Sequence, residues 1–504
     1  MLASNSSGQV MPSVAKRPSA GRITRSLVWF HRWLGIATCL VFALWFASGA
    51  VLLFQPFPSL SRDAQMGFQR PVDLADIRVA PSEAIIAAGG YASGLRLVQY
   101  GDRPTYLVEY DNKIVALDAR TGAVLQPLNV SQAQAIAIVA FGGGAATNGP
   151  FSYDQWIVHN QFDSLRPLYR IDLGDKLGTQ FYLSARTGEL VQRTTFHERA
   201  WNWVGAVLHW VYFTPVRSSF ALWDNGVWII SFVTMLVAIA GTTLGIIRTI
   251  AAQRLRKPAL SFFRPFWMRW HHILGLFASM FVLTWIFSGW LSMDHGRLFA
   301  RGEATSAQIS SYHGKPLVEA LRPVSPASLR ASGTTTEVSF DVVGGTPILI
   351  ASHKNKRPAL FDVNGEAFNS GALITSVRKG IAAAWPDARV RRIDAVETTD
   401  VYALAEGWPT SAVRVTLDGQ PDAPAVYVDG ANGRLLTVMS PSRATYAWIY
   451  YALHTFNFPG LTTRPLLRET LVMIPLVFGF IFSITGVVIG FQRLRKSFRS
   501  SAGV

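Results

Sequence analysis

Cysteine is almost missing from this chain: Cys39, inside an apolar run, is the only one in 504 residues. That count excludes disulfides within the chain, iron–sulfur clusters and Cys-based zinc sites. No Cys-x-x-Cys-His stretch occurs, which excludes a covalently attached c-type haem. Charge is also scarce, at 15% of residues, whereas half are hydrophobic and Trp and Phe number 16 and 31. Together with a mean hydropathy of +0.24, this places the chain in a membrane rather than among soluble proteins.

The formal charge of +16 invites a nucleic-acid reading, which its distribution rejects. Basic residues bunch beside apolar segments: Lys16, Arg17, Arg22 and Arg25, then Arg248, Arg254, Arg256, Lys257, Arg264 and Arg269, then Arg493, Arg495, Lys496 and Arg499. This is the positive-inside pattern of a membrane protein. Four runs, about 27–54, 226–247, 266–293 and 471–491, are long enough to cross roughly 30 Å of hydrocarbon as helices. The first is too long for a signal peptide and lacks a small-residue cleavage site, so it reads as an uncleaved anchor.

The expected order is a cytoplasmic basic tail (1–25), span one (26–55), an extracytoplasmic domain (56–200), an interfacial segment with span two (201–250) and a cytoplasmic loop (251–265). Span three (266–294), a second extracytoplasmic domain (295–443), an interfacial segment with span four (444–492) and a cytoplasmic tail (493–504) complete it. Both connections read as α+β modules. Strand–turn patterns occur at 106–118, with an Asp111-Asn112 turn, and at 181–188, 359–365 and 425–433. Short helices precede them at 81–88, 131–140 and 373–385, which suggests two helix-plus-hairpin modules per connection.

An internal repeat organises the whole. His31-Arg32-Trp33-Leu34-Gly35 aligns with His271-His272-Ile273-Leu274-Gly275 at an offset of 240, which also carries Trp45 onto Trp285 and Ser48-Gly49 onto Ser288-Gly289. Leu208-His209 aligns with Leu453-His454 at an offset of 245, which carries Gly241 onto Gly486 and Gly245 onto Gly490. The chain is one unit written twice (span, extracytoplasmic domain, span), so the repeats are parallel and a pseudo-two-fold axis along the membrane normal is expected.

The repeat singles out His31, His209, His271 and His454. Ionisable side chains in or beside membrane segments are costly and point to function; the bland alternative is hydration at headgroup level. His31 and His271 fall on the cytoplasmic side, and His209 and His454 on the other. Residues related by a two-fold axis face each other when close to it, so each pair can clamp one iron. Zinc would want further Cys, Asp or Glu ligands, and none is near in sequence. Haem needs two axial ligands, an apolar slot and cations for its propionates. Arg32 or Arg269 on one side and Arg217 or Arg464 on the other are candidates for the last role. Gly35, Gly49, Gly275 and Gly289 permit close helix approach. His272 is an alternative to His271, while His197, His295 and His313 have no repeat partner, His295 being the spare ligand.

These residues resemble the PepSY-associated transmembrane helix family: the His-Arg-Trp-Leu-Gly opening followed by Ser-Gly, the Leu-His stretch ahead of a span ending in Ala-Gly or Thr-Gly, and Thr-Gly hairpins. The resemblance runs from about residue 25 to 496. It implies a four-helix membrane protein of two parallel repeats, each with an inserted α+β (PepSY-like) periplasmic domain. It also implies haem ligation by His31, His271, His209 and His454. Characterised relatives include inner-membrane haem proteins of Gram-negative bacteria that reduce ferric siderophores in the periplasm. One departure stands out: many relatives have glycine two residues after the outer histidine, where this chain has Val211 and Phe456.

The expected function is therefore a multi-pass protein of the bacterial inner membrane, in contact with lipid and with both termini cytoplasmic. It would carry two b-type haems and pass electrons to a periplasmic ferric siderophore. No flavin or nicotinamide site is evident; Gly142-Gly143-Gly144 lacks a strand–turn–helix context, so the donor, a quinol or a reductase, is external. The rival is a non-redox PepSY-domain membrane protein that binds peptides or regulates a periplasmic protease. A siderophore or metal transporter is disfavoured by four spans without a broken-helix pair.

Overall fold

The computed structural model describes residues 20–110, 113–255, 261–293, 296–354, 356–419 and 422–501. The Asp111-Asn112 turn, His295 and the flanking cations Lys16, Arg17, Arg256 and Lys257 lie outside the described residues. Four helices are long and apolar enough to cross a membrane: α1 (Ala20–Leu52), α2 (Phe220–Arg254), α3 (Phe266–Ser292) and α4 (Pro465–Ser501). Leu, Ile, Phe, Val and Ala dominate their sequences, so in hydrocarbon every backbone group is satisfied within the helix while apolar side chains face lipid. Between them lie β-sheet domains.

The chain divides into two units. The first comprises Met1–Ala43, Phe232–Leu283 and Phe478–Val504, whose described residues hold one end of each long helix. The second, Leu44–Ser231 and Thr284–Val477, holds the other helix ends and all the strands among the described residues.

In the second unit the first connection forms β1 (Gly94–Tyr100), β2 (Arg103–Tyr110), β3 (Lys113–Asp118), β4 (Ala146–Phe151), β5 (Leu168–Asp172), β6 (Gln180–Ser184) and β7 (Leu190–Thr194). The second forms β8 (Glu337–Val343), β9 (Thr346–Ser352), β10 (Ala359–Phe361), β11 (Arg389–Ala395), β12 (Ala412–Asp418), β13 (Ala425–Asp429) and β14 (Leu435–Met439). Two four-stranded sheets, β4-β5-β6-β7 and β11-β12-β13-β14, belong to one connection each. Helix Val130–Phe141 packs on the former, burying Ala133 and Ala137, and helix Ser370–Ala384 on the latter, burying Val377 and Ile381.

The remaining strands do not form two separate modules. They join in one six-stranded sheet, β10-β9-β8-β1-β2-β3, through an antiparallel β1–β8 pairing with Leu95 opposite Phe340. The order is palindromic, as a two-fold axis between β1 and β8 would make it. Pairing satisfies two strand edges that would otherwise stand open, and the core beneath draws Leu97 and Tyr106 from one connection and Phe340 and Leu349 from the other. Charge locks the same seam. Arg96 on β1 reaches Glu337 on β8 at 3.0 Å, Glu189 at 2.8 Å and Glu109 at 3.0 Å, and Arg62 also binds Glu337. Burial alone would raise the Glu189 carboxyl, but Arg96 and Arg62 overrule it and hold the group below its ordinary range.

Candidate functional site

His31 on α1 and His271 on α3 face each other in the helical unit, with ring centres 6.5 Å apart. The His31 Nδ1 donates to the Val237 carbonyl of α2 at 3.1 Å. The His271 Nδ1 lies 2.9 Å from the Thr485 hydroxyl of α4, whose own proton goes to the Phe482 carbonyl, so the hydroxyl accepts from the ring. Both tautomers are thereby assigned from the hydrogen-bond network: the proton sits on Nδ1 and the Nε2 lone pair stays open. This is the arrangement that orients a metal-binding imidazole.

His272 differs. Its Nδ1 meets the Ser261 hydroxyl at 2.8 Å and its Nε2 meets the Gly245 carbonyl at 3.0 Å, so both nitrogens are engaged. Small residues make room for the facing rings. A Cβ on Gly241 would stand 2.5 Å from the His31 ring, and one on Gly275 would stand 2.8 Å from Phe482, which stacks on His271. A cavity of about 380 Å³, in the size range of small-molecule sites, is lined by both histidines and by Arg32, Arg248 and Arg493. Arg269 is not in that lining.

His209 and His454 face each other in the second unit at 6.3 Å. Each Nδ1 sits 3.0 Å from a serine hydroxyl, Ser48 on α1 for His209 and Ser288 on α3 for His454. Each serine sends its proton to a carbonyl one turn back, Trp45 or Trp285, so the Nε2 lone pairs are again open. Outside the four spans in sequence, these two imidazoles are pushed down by burial to about 3 for His209, with His454 adding to it, and to about 4 for His454. Both are neutral at pH 7, the form that ligates metal. Gly49 and Gly289 lie against the two rings, where a Cβ would come to 3.5 Å and 3.3 Å.

The backbone around the His209–His454 pair is unusual and recurs at the offset of 245. π-Helical turns span Trp203–Val207 and Trp448–Ala452, each ending two residues before its histidine. Two residues after each histidine, Val211 and Phe456 adopt φ of 55° and 54°. Left-handed backbone costs roughly 1–2 kcal/mol for a non-glycine residue and is rarest for a β-branched one. π-Turns and strained residues tend to gather at functional sites, and neither leaves a mark in local sequence.

Other sequence candidates lie elsewhere. Arg217 donates to Asn160 and packs over Trp223, so it is engaged away from the histidines. His197 packs edge-on to Trp201, and His313 lies 3.7 Å from Asp341. Among the described residues, no three His, Cys, Asp or Glu side chains gather to hold a metal. Each facing pair offers two imidazoles, so a metal there would take its other ligands from a cofactor.

The spacing fits that chemistry. A metal held between two imidazole nitrogens at about 2.0–2.1 Å each places the ring centres roughly 6.4 Å apart, and the two pairs stand at 6.5 and 6.3 Å. The comparison with curated proteins gave no match. A family model described as the PepSY-associated TM region matches residues 28–342, a span that includes His31, His209 and His271. That match takes in well over half of the chain, and the protein belongs to this family.

Proposed function

We propose that this chain is a b-type di-haem protein of the bacterial inner membrane that passes electrons across the bilayer to a periplasmic acceptor, a ferric-siderophore complex. One observation carries the reading: four half-buried histidines in two facing pairs, each ring tied through Nδ1 and open at Nε2. His31 and His271 would hold one haem, and His209 and His454 the other. When bound, the cofactor supplies a one-electron iron couple.

The chain's own groups do the rest. Val237, Thr485, Ser48 and Ser288 fix the imidazole tautomers, and apolar helices exclude water from the rings. A donor outside the chain, a quinol or a reductase, feeds the cytoplasmic side. Hard oxygen ligands hold Fe(III) tightly, and its reduction to Fe(II) loosens them, which frees siderophore iron. The palindromic sheet and the recurring histidine surroundings support two parallel repeats about an axis along the membrane normal.

Pyridine haemochrome analysis of detergent-purified protein should give about two b-type haems per chain, with a Soret band that shifts on dithionite. A colourless protein, expressed with haem available, overturns this in favour of a peptide-binding or protease-regulating membrane protein. Periplasm-dependent reporters should be active after Gly149 and Gly371 and silent after Lys257 or Val504. Activity after Lys257 would reverse the orientation.

A further inference from the structure

All the charge in the helical unit has one sign. Its three segments contain 15 Lys and Arg and no Asp or Glu, whereas the second unit sets 32 Lys and Arg against 31 Asp and Glu. No Asp or Glu of this unit can therefore neutralise Arg32, Arg248 and Arg493, which line its cavity. Arg248 is half-buried over the Phe262 ring and Arg493 is exposed at the cavity's edge, and with no Asp or Glu in this unit both guanidinium groups are available to an anionic occupant.

Two of these arginines are equivalent. The offset of 245 that carries Gly241 onto Gly486 also carries Arg248 onto Arg493. Arg32 aligns with His272 and has no arginine counterpart. The cavity thus presents one equivalent pair of imidazoles and one equivalent pair of guanidinium groups.

We propose that Arg248 and Arg493 each bind one of two carboxylates on the occupant; given the haem reading above, on which this rests, these are its propionates. A two-fold operation that exchanges the two faces of a porphyrin, and so its axial ligands, lies in the ring plane. When both propionates occupy one edge, the same operation exchanges them. Equivalent histidines on opposite faces therefore call for equivalent cations at one edge. The planar guanidinium fork suits a carboxylate bidentately.

The test uses full-length protein carrying His209→Ala, so that only the inner site is read. In neutral maltoside detergent it is stripped and reloaded with protohaem or with its uncharged dimethyl ester, then challenged with excess apomyoglobin. Protohaem should outlast the ester by about a hundredfold in the parent protein. Arg248→Gln and Arg493→Gln should each shorten protohaem retention by about tenfold and leave the ester unchanged. The double variant should treat both alike, with an unaltered bis-imidazole spectrum showing that the site still folds.

If the parent itself does not distinguish acid from ester, the pair is not a carboxylate site. The assignment fails equally if the variants change only binding to phosphatidylglycerol vesicles, since the arginines then serve lipid phosphate. A parent protein that takes up no haem overturns the proposed function and this assignment together.

Discussion

The two histidine pairs reach nearly the same ring separation by different backbone routes. The inner pair is all helix: α1 and α3 carry the rings, and α2 and α4 supply the Nδ1 acceptors. The outer pair sits on segments ahead of α2 and α4, and here α1 and α3 supply the acceptors instead. A long helix presents a side chain at a set depth without special backbone. A short segment that must turn back after its histidine needs help, and the π-turn followed by a left-handed residue supplies it at both positions. Strain thus collects where a facing histidine is not carried by a spanning helix.

The largest expected effects test whether each pair acts as one unit. His31→Ala and His271→Ala should each remove the same haem, and the double variant should lose no more. His209→Ala and His454→Ala should behave likewise for the other, and one substitution from each pair should abolish both. Haem content by haemochrome reads this, with folding checked because alanine also leaves a cavity. His272→Ala should leave the inner haem in place, since both its nitrogens are already bonded. Loss of that haem would move the ligand by one position.

Next in size is a contrast between the units in acid. Glu189→Ala strips a buried partner from Arg96 and should cost about 3 kcal/mol in thermal or denaturant unfolding. The Glu189 carboxyl is held below its ordinary range, so its stabilisation is present above about pH 4.3 and is lost as pH falls through the lower folded-state value. Wild-type stability in the second unit should therefore decline below about pH 4.3, and less so in the variant. The helical unit has no Asp or Glu side chain to protonate. Equal acid sensitivity in the two proteins would remove Glu189 from the account.

Smaller effects probe the ring anchors and the strained residues. Thr485→Val and Ser48→Ala should weaken retention of the inner and outer haem respectively by roughly 10–100-fold. A crossed result would reassign the sites. Val211→Gly relieves left-handed backbone but gives up a partly buried side chain, so stability should change by less than about 1 kcal/mol with the outer haem retained. A larger loss would mean that the Val211 side chain, rather than its backbone, positions His209.

Much of this was legible in the sequence because it rests on period and spacing. The four spans follow from apolar length, and the facing histidines from two constant offsets. Ser48 and Ser288 stood in the repeat beside Gly49 and Gly289, although their role as ring acceptors needed coordinates. Thr485 and the Val237 carbonyl were missed because an acceptor on a neighbouring helix has no sequence signature. The π-turns and the left-handed conformation of Val211 were hidden because neither leaves a mark in local sequence. The choice between His271 and His272, open in the sequence, became a question of which ring has a free nitrogen. The shared six-stranded sheet escaped entirely, since edge pairing between distant strands leaves no local pattern.

That sheet constrains how the protein is made. β1 pairs with a strand about 240 residues further along, which cannot arrive until the third span has entered the membrane. During synthesis the first connection must wait with an open edge and an incomplete core, the condition in which intermediates are prone to aggregate or to be cut. Its final folding step is therefore a late, long-range closure, slow by topology. A chain stopped after α2 should be degraded rapidly, whereas the two halves produced as separate polypeptides should rescue each other by completing one sheet between them.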